Sequence, residues 1–146
     1  GTGDNVKVRD RLMDIKVLKQ VNEDGLEQWT PVMKQSFPLP AEAVAKVHEA
    51  LRLPVPPLPR PGYSLDEFIA DFAAPGCAIR AVKVHKLRAR YTVGGCMAGL
   101  SEVTADVKAT RTIAVESPDD AAVIRADSVL TPLPVALLIS SARPEI

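Results

Sequence analysis

Residues 82–101 read VKVHKLRARYTVGGCMAGLS. Apolar and basic side chains alternate in the first half of this stretch, as in a half-exposed β-strand, and the glycine pair that follows is a strong hairpin signal. We therefore predict one long strand from Cys77 to Val93 that turns at Gly94-Gly95. Two further strands are predicted, from about Leu100 to Val107 and from Ala109 to Val115.

Three more strands are predicted before this stretch. Asn5 to Val21 mixes aliphatic and charged residues on a short period, which indicates two strands with a turn near Asp10-Arg11. A polar loop around Gly25 leads into a third strand, from Gln28 to Phe37. The prolines that follow lack amide donors, so they end this strand.

Three helices are predicted outside the strands. Apolar residues at helical spacing mark the first, over 41–51, and a capping box (SLDE) opens the second, over 64–73. A proline-rich connector, 53–61, separates the two helices. A last helix is predicted after residue 117, with Ser117 as its cap. The sequence thus predicts an α+β fold in which helices interrupt an antiparallel β-sheet.

The composition fits one globular domain. The chain has 146 residues, of which 47% are hydrophobic and 25% are charged. We assign 1–125 to this domain and treat 126–146 as a tail of unclear structure, because it has no usable periodicity. No apolar window reaches the roughly 18 residues of a membrane span, and Gly1–Asp4 resembles no secretory signal, so a cytoplasmic location is predicted. Cys77 and Cys96 match no zinc pattern and are expected to be free thiols.

Basic residues are concentrated within an otherwise neutral chain. The formal net charge is zero, yet residues 77–101 contain no acid. Basic residues of one parity share one face of a strand. Such a face is either solvated, or it is enclosed and needs water, acids, metal ions or an anionic ligand to offset its charge. Two sets share a parity: Lys7, Arg9 and Arg11, and Lys86, Arg88 and Arg90.

Several segments follow one another in an order that is typical of a known family. They are Arg9-Asp10-Arg11, Asp14-Ile15-Lys16, Phe37-Pro38-Leu39-Pro40, the basic strand 82–91 and Thr112-Ile113-Ala114-Val115-Glu116. In this order, from about Lys7 to Val123, the chain resembles the CYTH or triphosphate tunnel domains. That family includes class IV adenylate cyclases, thiamine triphosphatases and inorganic triphosphatases.

The resemblance implies a single CYTH-like domain over 1–125, with its sheet curled into a closed or half-closed tunnel. The function it implies is metal-assisted hydrolysis or binding of a triphosphate or polyphosphate anion. It also implies that Glu116 holds Mg²⁺ or Mn²⁺, with Glu102 and Asp106 as further candidate carboxylates. Phosphate binding is expected from six cations: Arg9, Arg11, Lys16, Lys86, Arg88 and Arg90.

Two other functions fit the same residues. The chain reads Lys34-Gln35-Ser36 and Ala114-Val115-Glu116 where the family carries acidic pairs, which favours a noncatalytic phosphate- or nucleotide-binding module. The other is an interaction protein whose basic strands are solvated. Nucleic acid is a less favoured ligand, because one Trp, two Tyr and three Phe offer few side chains for base stacking. No membrane partner is expected, and the oligomeric state is left open.

Overall fold

The computed structural model describes residues 4–130 and 136–141, with side chains described up to residue 126. The chain divides into two units. Unit 1 comprises the residues up to Leu18 and Pro31–Ala81, and unit 2 comprises Lys19–Thr30 and the residues from Val82 onward. The elements in chain order are β1 (Asn5–Arg9), β2 (Leu12–Val21), β3 (Glu27–Ser36), β4 (Leu39–Pro40), α1 (Ala41–Ala50), β5 (Gly62–Tyr63), α2 (Leu65–Phe72), β6 (Val84–Val93), β7 (Cys96–Ala105), β8 (Lys108–Ser117), α3 (Asp120–Leu130) and β9 (Ala136–Ser141).

A two-residue turn joins β1 to β2. Asp10 and Arg11 have φ of 51° and 59°, the left-handed conformation that both turn positions of a type I′ hairpin require, and Arg9 pairs with Leu12 across the turn. The predicted turn is therefore confirmed. The prediction that Arg11 continues the strand face of Lys7 and Arg9 is wrong, because a residue in this conformation lies outside the ladder.

The core of unit 1 joins α1 and α2 to β2. Along β2, Met13 and Ile15 are buried and alternate with more exposed residues, the period-two pattern of a strand with one solvated face. Val47 of α1 and Phe68 and Phe72 of α2 belong to the same core. Burial of each such side chain contributes about 1.5–3 kcal/mol.

Helix α2 begins with the predicted capping box. Ser64 Oγ accepts a hydrogen bond from the Glu67 amide (3.2 Å), and the Glu67 carboxylate accepts one from the Ser64 amide (2.8 Å). These hydrogen bonds, with a smaller contribution from Arg60, hold the pKa of Glu67 below its ordinary value. Arg60 Nη1 also lies 2.9 Å from Asp71 Oδ2, and its guanidinium lies over the Tyr63 ring. Arg60 thereby fastens the end of the proline-rich connector to α2.

The sheet of unit 2 contains both antiparallel and parallel pairs. Val93 pairs with Cys96 across Gly94 and Gly95, whose φ of 57° and 80° fit a two-residue hairpin turn. β7 and β8 are also antiparallel, whereas β9 pairs in parallel with β8 and with the first residues of β3. Parallel neighbours need a crossover connection, and α3 supplies it between β8 and β9. The expectation of a wholly antiparallel sheet is therefore wrong at β9.

Helix α3 packs on one face of this sheet. Its Val123 and Ala126 are buried together with Cys96, Ala98 and Val115. The three strand residues alternate with residues that project from the opposite face. The basic residues of β6 have the opposite parity to this core, so α3 leaves their face uncovered.

The cap of α3 differs from the prediction. Asp119 Oδ1 accepts a hydrogen bond from the Ala121 amide (3.0 Å), so Asp119 is the residue that caps the helix. Ser117 Oγ accepts from the Asp119 amide (3.1 Å), outside the helix. The prediction of Ser117 as the cap is wrong because Ser117 is the last residue of β8.

The structure confirms the α+β fold and the three predicted helix positions. β6 begins at Val84 rather than Cys77, because Ile79 packs against the core of unit 1 and β7 ends at Ala105, opposite Val84.

The strand order is β1-β2-β3-β9-β8-β7-β6. No pairing between described strands joins the two ends of this order, so the tunnel stays a prediction. None of the described helices is long and apolar enough to cross a membrane.

Candidate functional site

The register of β6, β7 and β8 defines the face that carries Lys86, Arg88 and Arg90, which we call the basic face. Residues directly opposite each other in antiparallel strands project from the same side of a sheet. All three cations are exposed. The basic face includes four rows: Thr92–Met97–Glu116, Arg90–Gly99–Ala114, Arg88–Ser101–Thr112 and Lys86–Val103–Thr110.

Arg88 lies across the basic face instead of extending into solvent. Its Nε donates a hydrogen bond to Ser101 Oγ at 3.4 Å. A Cβ on Gly99 would lie 3.5, 3.6 and 3.8 Å from Nε, Cδ and Cγ of Arg88, so the arginine stem rests on the glycine. Ser101 is 2% exposed. Small residues on β7 therefore let Arg88 lie flat against the sheet, and a side chain that is already held in one orientation would lose less entropy on binding a ligand than a freely rotating one.

The charge of Arg88 and Arg90 is the second feature of this face. Within the part of the chain that the structure describes, neither Arg88 nor Arg90 forms an ion pair with a carboxylate. The residues of β8 opposite Ser101 and Val103 are Thr112 and Thr110, whose hydroxyls can donate to an anion. Cations without carboxylate partners attract anions to a surface.

Glu116, the predicted metal ligand, also lies on the basic face. It pairs with Met97 in the row next to that of Arg90. From the spacings of strands and residues, the Cα atoms of Arg90 and Glu116 are roughly 12 Å apart. Glu116 is half-buried and has no ion pair or side-chain hydrogen bond to any other described residue. One carboxylate therefore stands beside the cations, near the hairpin turn.

A shallow cavity lies at the same end of the hairpin. Its volume is about 370 Å³, and Arg90 and Met97 of the basic face contribute to its lining. The cavity therefore provides room next to the row of Glu116.

The other candidate carboxylates are not on the basic face. Glu102 pairs with Arg111 on the opposite side of the sheet, where Glu102 Oε1 lies 2.8 Å from Arg111 Nη2 and 2.9 Å from Arg111 Nε. Asp106 is in the turn between β7 and β8, with φ of 54°. Of the two predicted carboxylates within strands, Glu116 lies on the same face as the cations of β6 and Glu102 lies on the opposite face.

The three cations predicted in the N-terminal half belong to unit 1. The register of β1 and β2 puts Arg9 and Lys16 on the same side of that hairpin, and both are exposed. Between them on this side, Lys7 Nζ lies 3.4 Å from Asp14 Oδ2. Arg11 is in the turn and also exposed. Unit 1 thus has its own exposed basic side, on which Lys7 and Asp14 form an ion pair.

Among the described residues, no group of three or more His, Cys, Asp or Glu side chains is placed to hold a metal ion. His48 is a core residue, since its Nδ1 lies 2.9 Å from the carbonyl oxygen one turn earlier and its ring packs edge-on against Phe72. His85 is exposed and has the parity opposite to the basic residues of β6. The exposed Cys77 and the buried Cys96 are free thiols, as predicted.

The sequence patterns did not single out Ser101 or Thr112. A signal for Ser101 was nevertheless present. A two-residue turn at the glycine pair places Val93 opposite Cys96, and counting back from that pair places Ser101 opposite Arg88. Thr112 follows only when the register of β8 is also known.

Comparison of the chain with protein-family models, with curated proteins and with solved structures gives no match. The resemblance to the CYTH family therefore rests on the sequence segments alone.

Proposed function

We propose that the basic face binds a linear phosphate-rich anion such as tripolyphosphate or a longer polyphosphate. The observation that carries the proposal is Arg88, whose guanidinium is oriented by Ser101 and has no carboxylate partner among the described residues. An arginine fork can engage two phosphate oxygens at once. Hydrogen bonds of this charge-assisted kind each contribute roughly 1.5–3 kcal/mol.

The spacing of the cations favours an extended ligand. Alternate residues of a strand are about 6.8 Å apart, so roughly 14 Å separates Lys86 from Arg90. A single phosphate group is too small to contact all three cations, whereas a chain of phosphates can follow the strand. We therefore expect the affinity to rise with the number of phosphates in the ligand.

A calorimetric titration with orthophosphate, pyrophosphate, tripolyphosphate and longer polyphosphate tests this proposal. The titrations are made in EDTA at constant ionic strength, with sulfate as the control anion. The affinity should increase with chain length until the ligand spans the three cations. Binding of none of these anions, or equal affinity for orthophosphate and tripolyphosphate, would contradict the proposal. Thermal stability that no phosphate alters would favour the interaction protein without a small ligand.

Metal-assisted hydrolysis of the same anion is a second candidate, and the position of Glu116 favours it. Mg²⁺ at phosphate-handling sites is held by one or two carboxylates, together with substrate phosphates and water. Glu116 fits as one such ligand for Mg²⁺ or Mn²⁺. The metal would offset the charge of the phosphate oxygens and stabilise further charge that develops on them.

Release of orthophosphate in the presence of Mg²⁺ or Mn²⁺ distinguishes the two candidates. In an enzyme, Glu116→Gln should abolish this release while binding in EDTA persists. A protein that binds tripolyphosphate in EDTA and releases no phosphate with either metal is the noncatalytic module.

The tunnel that the resemblance implies, with Arg9, Arg11 and Lys16 as further phosphate ligands, is part of this proposal. A crystal structure with tripolyphosphate and Mn²⁺ tests it. An anion bound by the basic face alone would refute the tunnel and leave the proposed binding intact. We also propose a cytoplasmic location, because free thiols persist in a reducing compartment.

A further inference from the structure

Strand β6 is the last strand in the order of its sheet. It pairs with β7 along its whole length, from Val84 to Val93, and no described strand pairs with its other side. All of its residues except Val93 are exposed. Proteins commonly protect such edges with short strands, bulges or proline. The register of β6 is continuous and the strand contains no proline, so its backbone can accept another strand.

The turn geometry determines which backbone groups point outward from this edge. Val93 and Cys96 flank a two-residue turn, so they exchange hydrogen bonds with each other, and bonded pairs then alternate along the ladder. The odd-numbered residues of β6 therefore bond to β7. The amide and carbonyl groups of the even-numbered residues, among them Arg88 and Arg90, point away from the sheet.

The side chains along this edge differ between the two faces of the sheet. The even-numbered residues carry the basic face, and the stretch of sequence that contains them, residues 77–101, has no acidic residue. On the opposite face, Leu87 and Tyr91 are 58% and 56% exposed. A strand added to this edge would thus meet positive charge on one face and apolar surface on the other.

We propose that the outer edge of β6 binds an extended segment of another protein by strand addition, and that this segment alternates acidic with apolar side chains. Directly opposite residues share a face, so the acids would meet the arginines and the apolar side chains would meet Leu87 and Tyr91. A second copy of β6 fits less well. Its antiparallel pairing would put basic residues opposite basic residues, which is destabilising.

The probe is a capped peptide in which glutamate and valine alternate. In the expected antiparallel pairing, each glutamate of the peptide lies opposite an even-numbered residue of β6. The glutamate amides therefore donate hydrogen bonds to β6, and the valine amides point to solvent. Two N-methylated versions therefore form a matched pair with identical side chains and charge. Methylation of the glutamate amides should weaken binding about tenfold or more, because several backbone hydrogen bonds are lost together. Methylation of the valine amides should leave the affinity nearly unchanged.

Two further measurements complete the test. The amides of Arg88 and Arg90 should become protected from hydrogen exchange when the unmodified peptide binds. A variant with both Arg88→Glu and Arg90→Glu should prefer the peptide that has lysine in place of glutamate. Equal weakening by the two methylated peptides, or no protection of these amides, would overturn the proposal in favour of simple charge attraction. Self-association of the protein through β6, detected by sedimentation, would overturn it in favour of a second copy. Because the matched peptides differ only in backbone donors, the outcome is independent of phosphate binding.

Discussion

Replacement of Arg88 by glutamine should weaken the binding of tripolyphosphate by roughly 10- to 100-fold. Arg88 Nε already donates to Ser101, so the two Nη groups are the donors that face a ligand. Hydrogen bonds to charged groups contribute roughly 1.5–3 kcal/mol, and each 1.4 kcal/mol corresponds to a factor of about ten. Glutamine keeps a polar side chain of similar reach but loses the charge and the fork.

Arg111→Gln is the matched control. It makes the same change in net charge on a neighbouring strand, but Arg111 projects from the opposite face, where it pairs with Glu102. We expect this variant to bind tripolyphosphate within about twofold of the unaltered protein, since a distant exposed charge is screened by salt. Ser101→Ala should fall between the two, because it removes the hydrogen bond that orients Arg88 and keeps the charge.

The assay is isothermal titration calorimetry in EDTA at physiological ionic strength, with thermal denaturation to show that each variant is folded. The reasoning would be refuted by equal losses of affinity in Arg88→Gln and Arg111→Gln. That result would mean that the affinity for tripolyphosphate depends on the overall charge of the protein and not on the basic face.

Three further predictions follow from other parts of the molecule. Helix α2 should lose stability in acid, because the pKa of Glu67 is lower in the folded protein than its ordinary value. The stabilisation that ionised Glu67 gives the helix is complete above the ordinary pKa and disappears as the pH falls through the lowered pKa. Hydrogen exchange of the α2 amides against pH measures this, and an unchanged profile in Glu67→Gln would contradict it. Ile15→Ala should lower the free energy of unfolding, measured in urea, by about 2–5 kcal/mol, because Ile15 is 0% exposed. The control Ile69→Ala should lower it by about 1 kcal/mol or less, because Ile69 is 40% exposed. Equal losses in the two variants would argue against the assigned core. A thiol reagent should modify the exposed Cys77 in the folded protein and the buried Cys96 only after unfolding, as measured by mass spectrometry. Rapid labelling of Cys96 in the folded protein would contradict its 1% exposure.

Local signals were sufficient for the parts of the fold that depend on neighbouring residues. The glycine pair at 94–95 predicted a hairpin, and SLDE predicted the capping box of α2, because turn and cap geometry are set by a few consecutive residues. The alternation of β6 likewise predicted that Lys86, Arg88 and Arg90 share a face.

Features that depend on distant parts of the chain were not predicted. The apolar run from Ala136 to Ile139 is short, and the prolines that precede it in the sequence obscured the strand β9. The start of β6 was misplaced because Ile79 is held by the core of unit 1, which no local pattern reveals. Ser101 was missed for a related reason, since its role follows from the strand opposite and not from its own neighbours.

The position of β9 has a consequence for how the protein is made. β9 is the last of the described strands in chain order, yet Glu27 of β3 pairs with Ile139 of β9. Closing so long a loop costs conformational entropy before the pairing compensates for it, so such contacts form slowly. While the ribosome is still synthesising the chain, β8 and the start of β3 lack their shared neighbour and expose strand edges to other nascent chains. Assembly of unit 2 is therefore completed only after β9 has left the ribosome.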